Sequence, residues 1–242
     1  MKPDITSAEL PLRRRRWSPA AAALTLLFAL TAPAGAQGTA AQAPATSPPA
    51  KTASKKDDSI PFFRDGAVPR LKIQIPDAEL NQLRQKNREY VRCTVTEDDK
   101  TQYPNVGIHL KGAAGSFRGL DDKPALTLNF DKFTKGREFH DLEKIHLNNS
   151  VQDPTYLNEL LTSELFLTAG IPAARTTHAR VWLNGRDLGL YVLKEGFNKD
   201  FLKRYFANTT GNFYEPGLIQ DLDGQVKLQS GSGPADRSDV KA

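Results

Sequence analysis

Three glycines and three cations share one short stretch of the chain: Lys111, Gly112, Gly115, Arg118, Gly119 and Lys123. Glycine lets a backbone approach a ligand closely, and N–H groups beside cationic side chains make a cradle for an anion. A plain connection between strands, with its lysines in solvent, is the competing reading, because such loops are common connectors. Other reactive side chains form no comparable group. His109, His140, His146 and His178 lack metal-ligand spacing and read as strand or surface residues. Cys93 is the single cysteine, so neither an intrachain disulfide nor a cysteine zinc site can form. Asp221-Leu222-Asp223-Gly224 hints at calcium, but the loop after Gly224 does not supply the remaining ligand spacing, and no Gly-x-Ser-x-Gly elbow occurs.

The glycine stretch lies between two apolar runs, residues 106–110 and 125–130, which predicts two strands joined by a flexible basic loop. Upstream, residues 71–75 read as a strand, and Pro76 opens a helix whose first turn carries Asp77 and Glu79. Residues 90–96 alternate as a strand, and the charged turn at 97–100 brings the chain back antiparallel, giving a small meander. Cys93 falls in that alternation as a half-buried strand thiol. Ile145-His146-Leu147 reads as a short strand. Asp153 before Pro154 starts a helix over 154–169, with Tyr156, Leu157, Leu160, Leu161, Leu165 and Phe166 on its apolar face. Asn184-Gly185 marks a hairpin between strands at 176–183 and 188–194, in a loop that can exceed two residues, and a second helix comes next at 198–205.

Residues 1–36 have the form of a secretory leader: Arg13 to Arg16 are basic, residues 20–32 are apolar but too short for a membrane span, and Ala34-Gly35-Ala36 fits a cleavage site. Removing its five basic and two acidic residues from totals of 33 and 28 leaves 28 against 26, a net charge of +2. The basic balance is therefore largely a property of the leader and implies no nucleic-acid partner. Residues 37–59, rich in Ala, Pro, Ser and Thr without large apolar side chains, read as a disordered linker. The folded domain is expected over 60–217.

Several pieces then fall in one order: V-G-I-x-L-K-G, K-P-A-L-T-L-N-F, L-N-N-S-V-Q-D-P-T-Y-L-N-E, A-G-I-P-A-A-R and L-N-G-x-x-L-G-L-Y-V-L-K-E. Over about residues 71–214 this resembles the spore-coat protein H (CotH) kinase family of secreted or surface proteins. The resemblance implies an α+β fold, the small lobe of an atypical protein kinase, with an antiparallel sheet and one main helix. The large lobe is expected to be missing, residues 218–242 being a polar tail or its truncated start. It implies that Lys123, before the third strand, binds phosphate with Glu159 on the helix as its partner. Lys111 is the alternative to Lys123. Glu195 stands where a kinase hinge holds adenine by its backbone, or simply closes a strand. No G-x-G-x-x-G occurs.

By the same resemblance ATP and Mg²⁺ are the cofactors, in an intact protein. The implied reaction moves a phosphoryl group to Ser or Thr of a surface or coat protein, in a secreted, periplasmic or cell-surface setting. Asp221, Asp223, Asp236 and Asp239 lie too close to the hinge to act as the catalytic aspartate, so the chain is expected to be an inactive fragment. A tethered adhesion module and a structural envelope component, each with a protein or surface partner and no stable membrane span after cleavage, are the alternatives.

Overall fold

Residues 70–74 and 176–183, more than a hundred positions apart, lie side by side as parallel strands, and that pairing closes the molecule. The computed structural model describes residues 57–113, 115–215, 226–234 and 238–240. They belong to one unit, Ala53–Ala242. The expected leader, nearly all of the linker, and Asp221, Asp223 and Asp236 lie outside the described residues.

The chain opens with α1 (Ser59–Arg64), β1 (Arg70–Gln74) and α2 (Asp77–Gln85). The meander continues as β2 (Val91–Glu97), β3 (Thr101–Lys111), β4 (Ala125–Asn129) and β5 (Lys144–Asn148). Then come α3 (Asn158–Thr168), the hairpin β6 (Thr176–Leu183) and β7 (Arg186–Glu195), α4 (Lys199–Tyr205), and a separate ribbon of β8 (Phe213–Glu215) and β9 (Lys227–Ser230). Seven strands close into a barrel in the order β1-β2-β3-β4-β5-β7-β6.

This corrects the expected fold. The antiparallel meander is present, but the sheet is not the open antiparallel sheet of a kinase small lobe packed on one main helix. The β1–β6 pairing brings its two ends together, Leu71 opposite Val181 and Ile73 opposite Leu183. All four side chains are buried, each contributing on the order of 1.5–3 kcal/mol of apolar burial. Their continuation through Ile108, Leu128, Ile145 and Leu147 fills the barrel interior, as small barrels require.

The helix expected over 154–169 begins later, because Asp153 caps a preceding turn, accepting hydrogen bonds from the backbone N–H groups of Thr155 and Asn158. Its expected apolar face is also not wholly a core face: Leu161 and Leu165 are 64% and 65% exposed. Among the described residues no helix is long and apolar enough to cross a membrane. The hairpin turn has two residues, Asn184 at φ 47° and Gly185 at φ 82°, the left-handed pair that matches strand twist.

Helix α1 is strapped to the barrel by His140. Its Nδ1 lies 2.5 Å from Asp58, its Nε2 lies 2.9 Å from Glu97 on β2, and its ring stacks on Phe62 at 4.5 Å. The hydrogen bond with Glu97, reinforced by Asp58, raises the imidazole pKa above its usual 6.5. The charged ring thus stabilises the fold fully below about pH 6.5, and that contribution is lost as pH rises through the folded-state value. Urea unfolding at about pH 6 and about pH 8.5 is expected to show stability falling with pH in the wild type and falling less in His140→Gln; equal slopes would remove the strap's role.

Candidate functional site

Strand register decides which side chains share the outer wall of the barrel. His109 on β3 faces Thr127 on β4, Thr127 faces His146 on β5, and His146 faces Lys194 on β7. These four form one polar row across the wall, because their neighbours in sequence, Ile108, Leu126, Leu147 and Leu193, point into the core. Thr127 Oγ1 and His146 Nδ1 are joined at 3.0 Å. Lys111, two residues beyond His109, and Asn148, two beyond His146, extend the polar wall toward the glycine loop.

There the wall makes a relay. Lys111 Nζ donates to Asn148 Oδ1 at 2.6 Å, and Asn148 Nδ2 donates to both carboxylate oxygens of Glu159 at 2.6 and 2.7 Å. Lys194 Nζ lies 3.5 Å from the same carboxylate. Burial lowers the Lys111 pKa to about 8 despite the opposing pull of Glu159. Burial likewise lowers His146 well below its usual value, with Lys111, Lys144 and Lys194 adding repulsion.

Lys111, Gly112, Asn148 and Glu159 border a cavity of about 350 Å³. Lys111, Lys194 and Gly112 also border an adjoining groove of about 740 Å³ that holds Arg88, Lys132, Lys144 and Lys227. Both volumes suit a small-molecule site. The loop between β3 and β4 is pinned over the cavity by buried Asn149, whose amide donates to the carbonyls of Ser116 and Lys123 at 3.0 and 2.8 Å. Arg88 holds the loop's start through the carbonyls of Leu110 and Gly112.

The pair expected from the sequence is not formed. Lys123 Nζ bonds the Tyr156 hydroxyl at 2.6 Å and sits over the rings of Tyr156 and Tyr191 at 4.8 and 5.1 Å, while Glu159 turns to Asn148. Lys111 is the lysine brought toward Glu159. Glu195 is 1% exposed and taken up by Arg175, with an Nη2–Oε1 distance of 3.1 Å, and by Arg204. What borders the groove nearby is Phe197. Gly196 is needed there, since a Cβ would stand 2.8 Å from the Lys144 backbone oxygen.

Sequence reading missed Asn148 as the link between lysine and carboxylate, and the row of His109, His146 and Lys194. The available signal was alternation: polar residues at every second position of I-H-L-K, L-T-L-N and K-I-H-L-N.

Because Lys111 loses its proton more readily when folded, the folded state binds fewer protons than the unfolded chain between about pH 8 and pH 10.5, and stability rises across that window. Lys111→Met is expected to flatten this rise and to unfold at a higher temperature than the wild type at neutral pH, since a buried ammonium is replaced by an apolar chain of similar length. Thermal melts across the window check both, and a lower melting temperature with an unchanged slope would contradict them.

No curated protein sequence matches the chain. A model of the family described as CotH kinase protein matches residues 108–241, more than half of the sequence, from the last residues of β3 through β7. The chain is therefore a member of the CotH kinase protein family.

Proposed function

We propose that the barrel's outer wall binds the phosphates of a nucleotide, and that the protein is an exported kinase using ATP to phosphorylate Ser or Thr of surface or coat proteins. The observation that carries this is the Lys111–Asn148–Glu159 relay beside the glycine loop. A lysine on a strand, linked to a helix carboxylate, suits phosphoryl transfer, because positioning and charge neutralisation do most of that catalysis. ATP would supply the transferable phosphoryl group. Lys111 and Lys194 would hold its phosphates, the loop backbone from Gly112 would approach them, and Phe197 would border the rest of the ligand. Among the described residues no group of three His, Cys, Asp or Glu side chains can hold a metal ion. Asp153 and Glu159 are the carboxylates bordering the cavity. Export rests on the form of residues 1–36.

Isothermal titration with ATP tests the assignment. Lys111→Met is expected to weaken binding roughly tenfold or more, with far-UV circular dichroism unchanged and Lys123→Met close to wild type. Loss in Lys123→Met alone would transfer the role to Lys123.

A second reading, a docking module on the cell surface, is favoured by the exposed Leu161, Leu165 and Phe166 of α3. It predicts attachment to surface protein of the producing cell that Leu165→Glu abolishes and Lys111→Met spares.

A further inference from the structure

Phe197 borders a second cavity besides the cationic groove, where the chain turns into α4. It measures about 440 Å³, and four phenylalanines, Phe197, Phe201, Phe206 and Phe213, line it. Among the described residues no charged side chain borders it, in contrast to the groove with its arginine and lysines. Three of the rings hold one another: Phe197 meets Phe201 edge to face at 4.9 Å and Phe213 at 6.2 Å. Phe206 has no ring partner among the described residues, and at the end of α4 it is 49% exposed. A large open ring beside an apolar cavity marks a binding site, because its burial is left for a ligand to complete.

Two amides on the same lining narrow the ligand. Asn208 Oδ1 accepts from the backbone N–H and the hydroxyl of Thr210 at 2.9 and 2.7 Å, which leaves its Nδ2 as a donor among the described residues. Asn212 Nδ2 donates to Asp239 at 2.6 Å, which leaves its Oδ1 as an acceptor. A peptide unit carries one acceptor and one donor, so this pair of amides matches it. A hydrocarbon chain would use neither amide, and an anion would find no cation in the cavity. An aromatic side chain fits the walls, since rings pack edge to face against rings.

We propose that this phenylalanine cup takes an aromatic side chain, Phe, Tyr or Trp, of an extended polypeptide, and that it thereby selects the protein to be phosphorylated. The selection of a substrate rests on the kinase reading, while the cup as a peptide site is an independent observation. Phe197 joins the two. It borders the cup and the cationic groove and, together with Pro172, a further cavity of about 360 Å³ that also takes in Glu159 and Lys194. A polypeptide anchored by its ring in the cup has a lined path from there toward the carboxylate and ammonium of the barrel wall.

The test is fluorescence anisotropy of the whole chain with labelled Gly-Ser-Thr peptides that carry a single Phe, Tyr or Trp, beside the same peptides with Ala in that place. The aromatic peptides are expected to bind at least roughly tenfold more tightly. Phe206→Ser is expected to remove that preference. Gly211→Val, at a lining position where an added Cβ meets nothing within 4 Å, is expected to weaken it by narrowing the cup, with far-UV circular dichroism unchanged in both variants. Leu190→Ser, at an exposed apolar position on β7 outside the cup, keeps it. Equal binding of aromatic and Ala peptides, or a preference that survives both cup variants, overturns the cup, and ATP binding in the same preparation then leaves the nucleotide reading standing. A preference lost in Phe206→Ser while ATP fails to bind keeps the cup as a peptide-docking site and removes the kinase reading.

Discussion

Closure of the barrel through the parallel pairing of β1 with β6 is the constraint on which the rest depends. A closed barrel has no free strand edge, and in one of seven strands the interior is consumed by side chains. Chemistry must then be carried on the outside, by residues alternating with the core. On the wall from β3 to β7 the polar row is held in place because its inward partners, Ile108, Leu128, Ile145 and Leu147, are fully buried and hold the strands in a single register. A slip of one residue would send His109, Thr127, His146 and Lys194 inward, where their polar groups would have no partners. The apolar interior therefore defends the alignment of the polar row as strongly as it defends the fold.

The consecutive asparagines at the end of β5 show how finely that register is used. Asn148, the last residue of the strand, has its amide on the outer wall between Lys111 and Glu159. Asn149, one residue on, is buried and holds the glycine loop by two carbonyls. An amide serves both places because it donates and accepts at once, accepting from an ammonium while donating to a carboxylate, which neither aspartate nor lysine can do. The relay keeps a cation and an anion in communication without direct contact, so each retains capacity for a ligand. Its cost is visible in Lys111, whose ammonium is destabilised by burial even with Glu159 nearby.

Most individual elements of the fold were legible in the sequence, because each rests on local chemistry: alternation in residues 90–96, the Asn184-Gly185 turn, and Asn198 capping α4 through the N–H groups of Asp200 and Phe201. Barrel closure was not. Nothing near residues 70–74 or 176–183 specifies that they pair, since parallel pairing over that separation depends on side chains meeting in the finished core. In the candidate site the glycine loop with Lys111 stood out by type, whereas Lys123 and Glu159 were named only through the family resemblance, and only the fold places the Lys123 ammonium among Tyr156 and Tyr191. The apolar stripe of α3 predicted burial and met exposure at Leu161 and Leu165, because the barrel core is already filled from within.

Glu195 illustrates how a residue of functional appearance can act through structure. Its carboxylate is buried, accepts from the backbone and side chain of Arg175, and pairs with Arg204 on α4, so its lone pairs are spent before any ligand arrives. Arg175 in turn reaches Ser59 on α1 at 2.8 Å and lies over the Phe63 ring at 4.7 Å. One carboxylate therefore ties the end of β7 to α4 directly and to α1 through Arg175. Removing a single partner from such a buried network leaves a charge without compensation, a loss of about 3–5 kcal/mol, which explains why the arrangement behaves as a unit. With its side chain committed inward, Glu195 fixes the path of the backbone through Gly196 to Phe197, and that path sets the border of the groove.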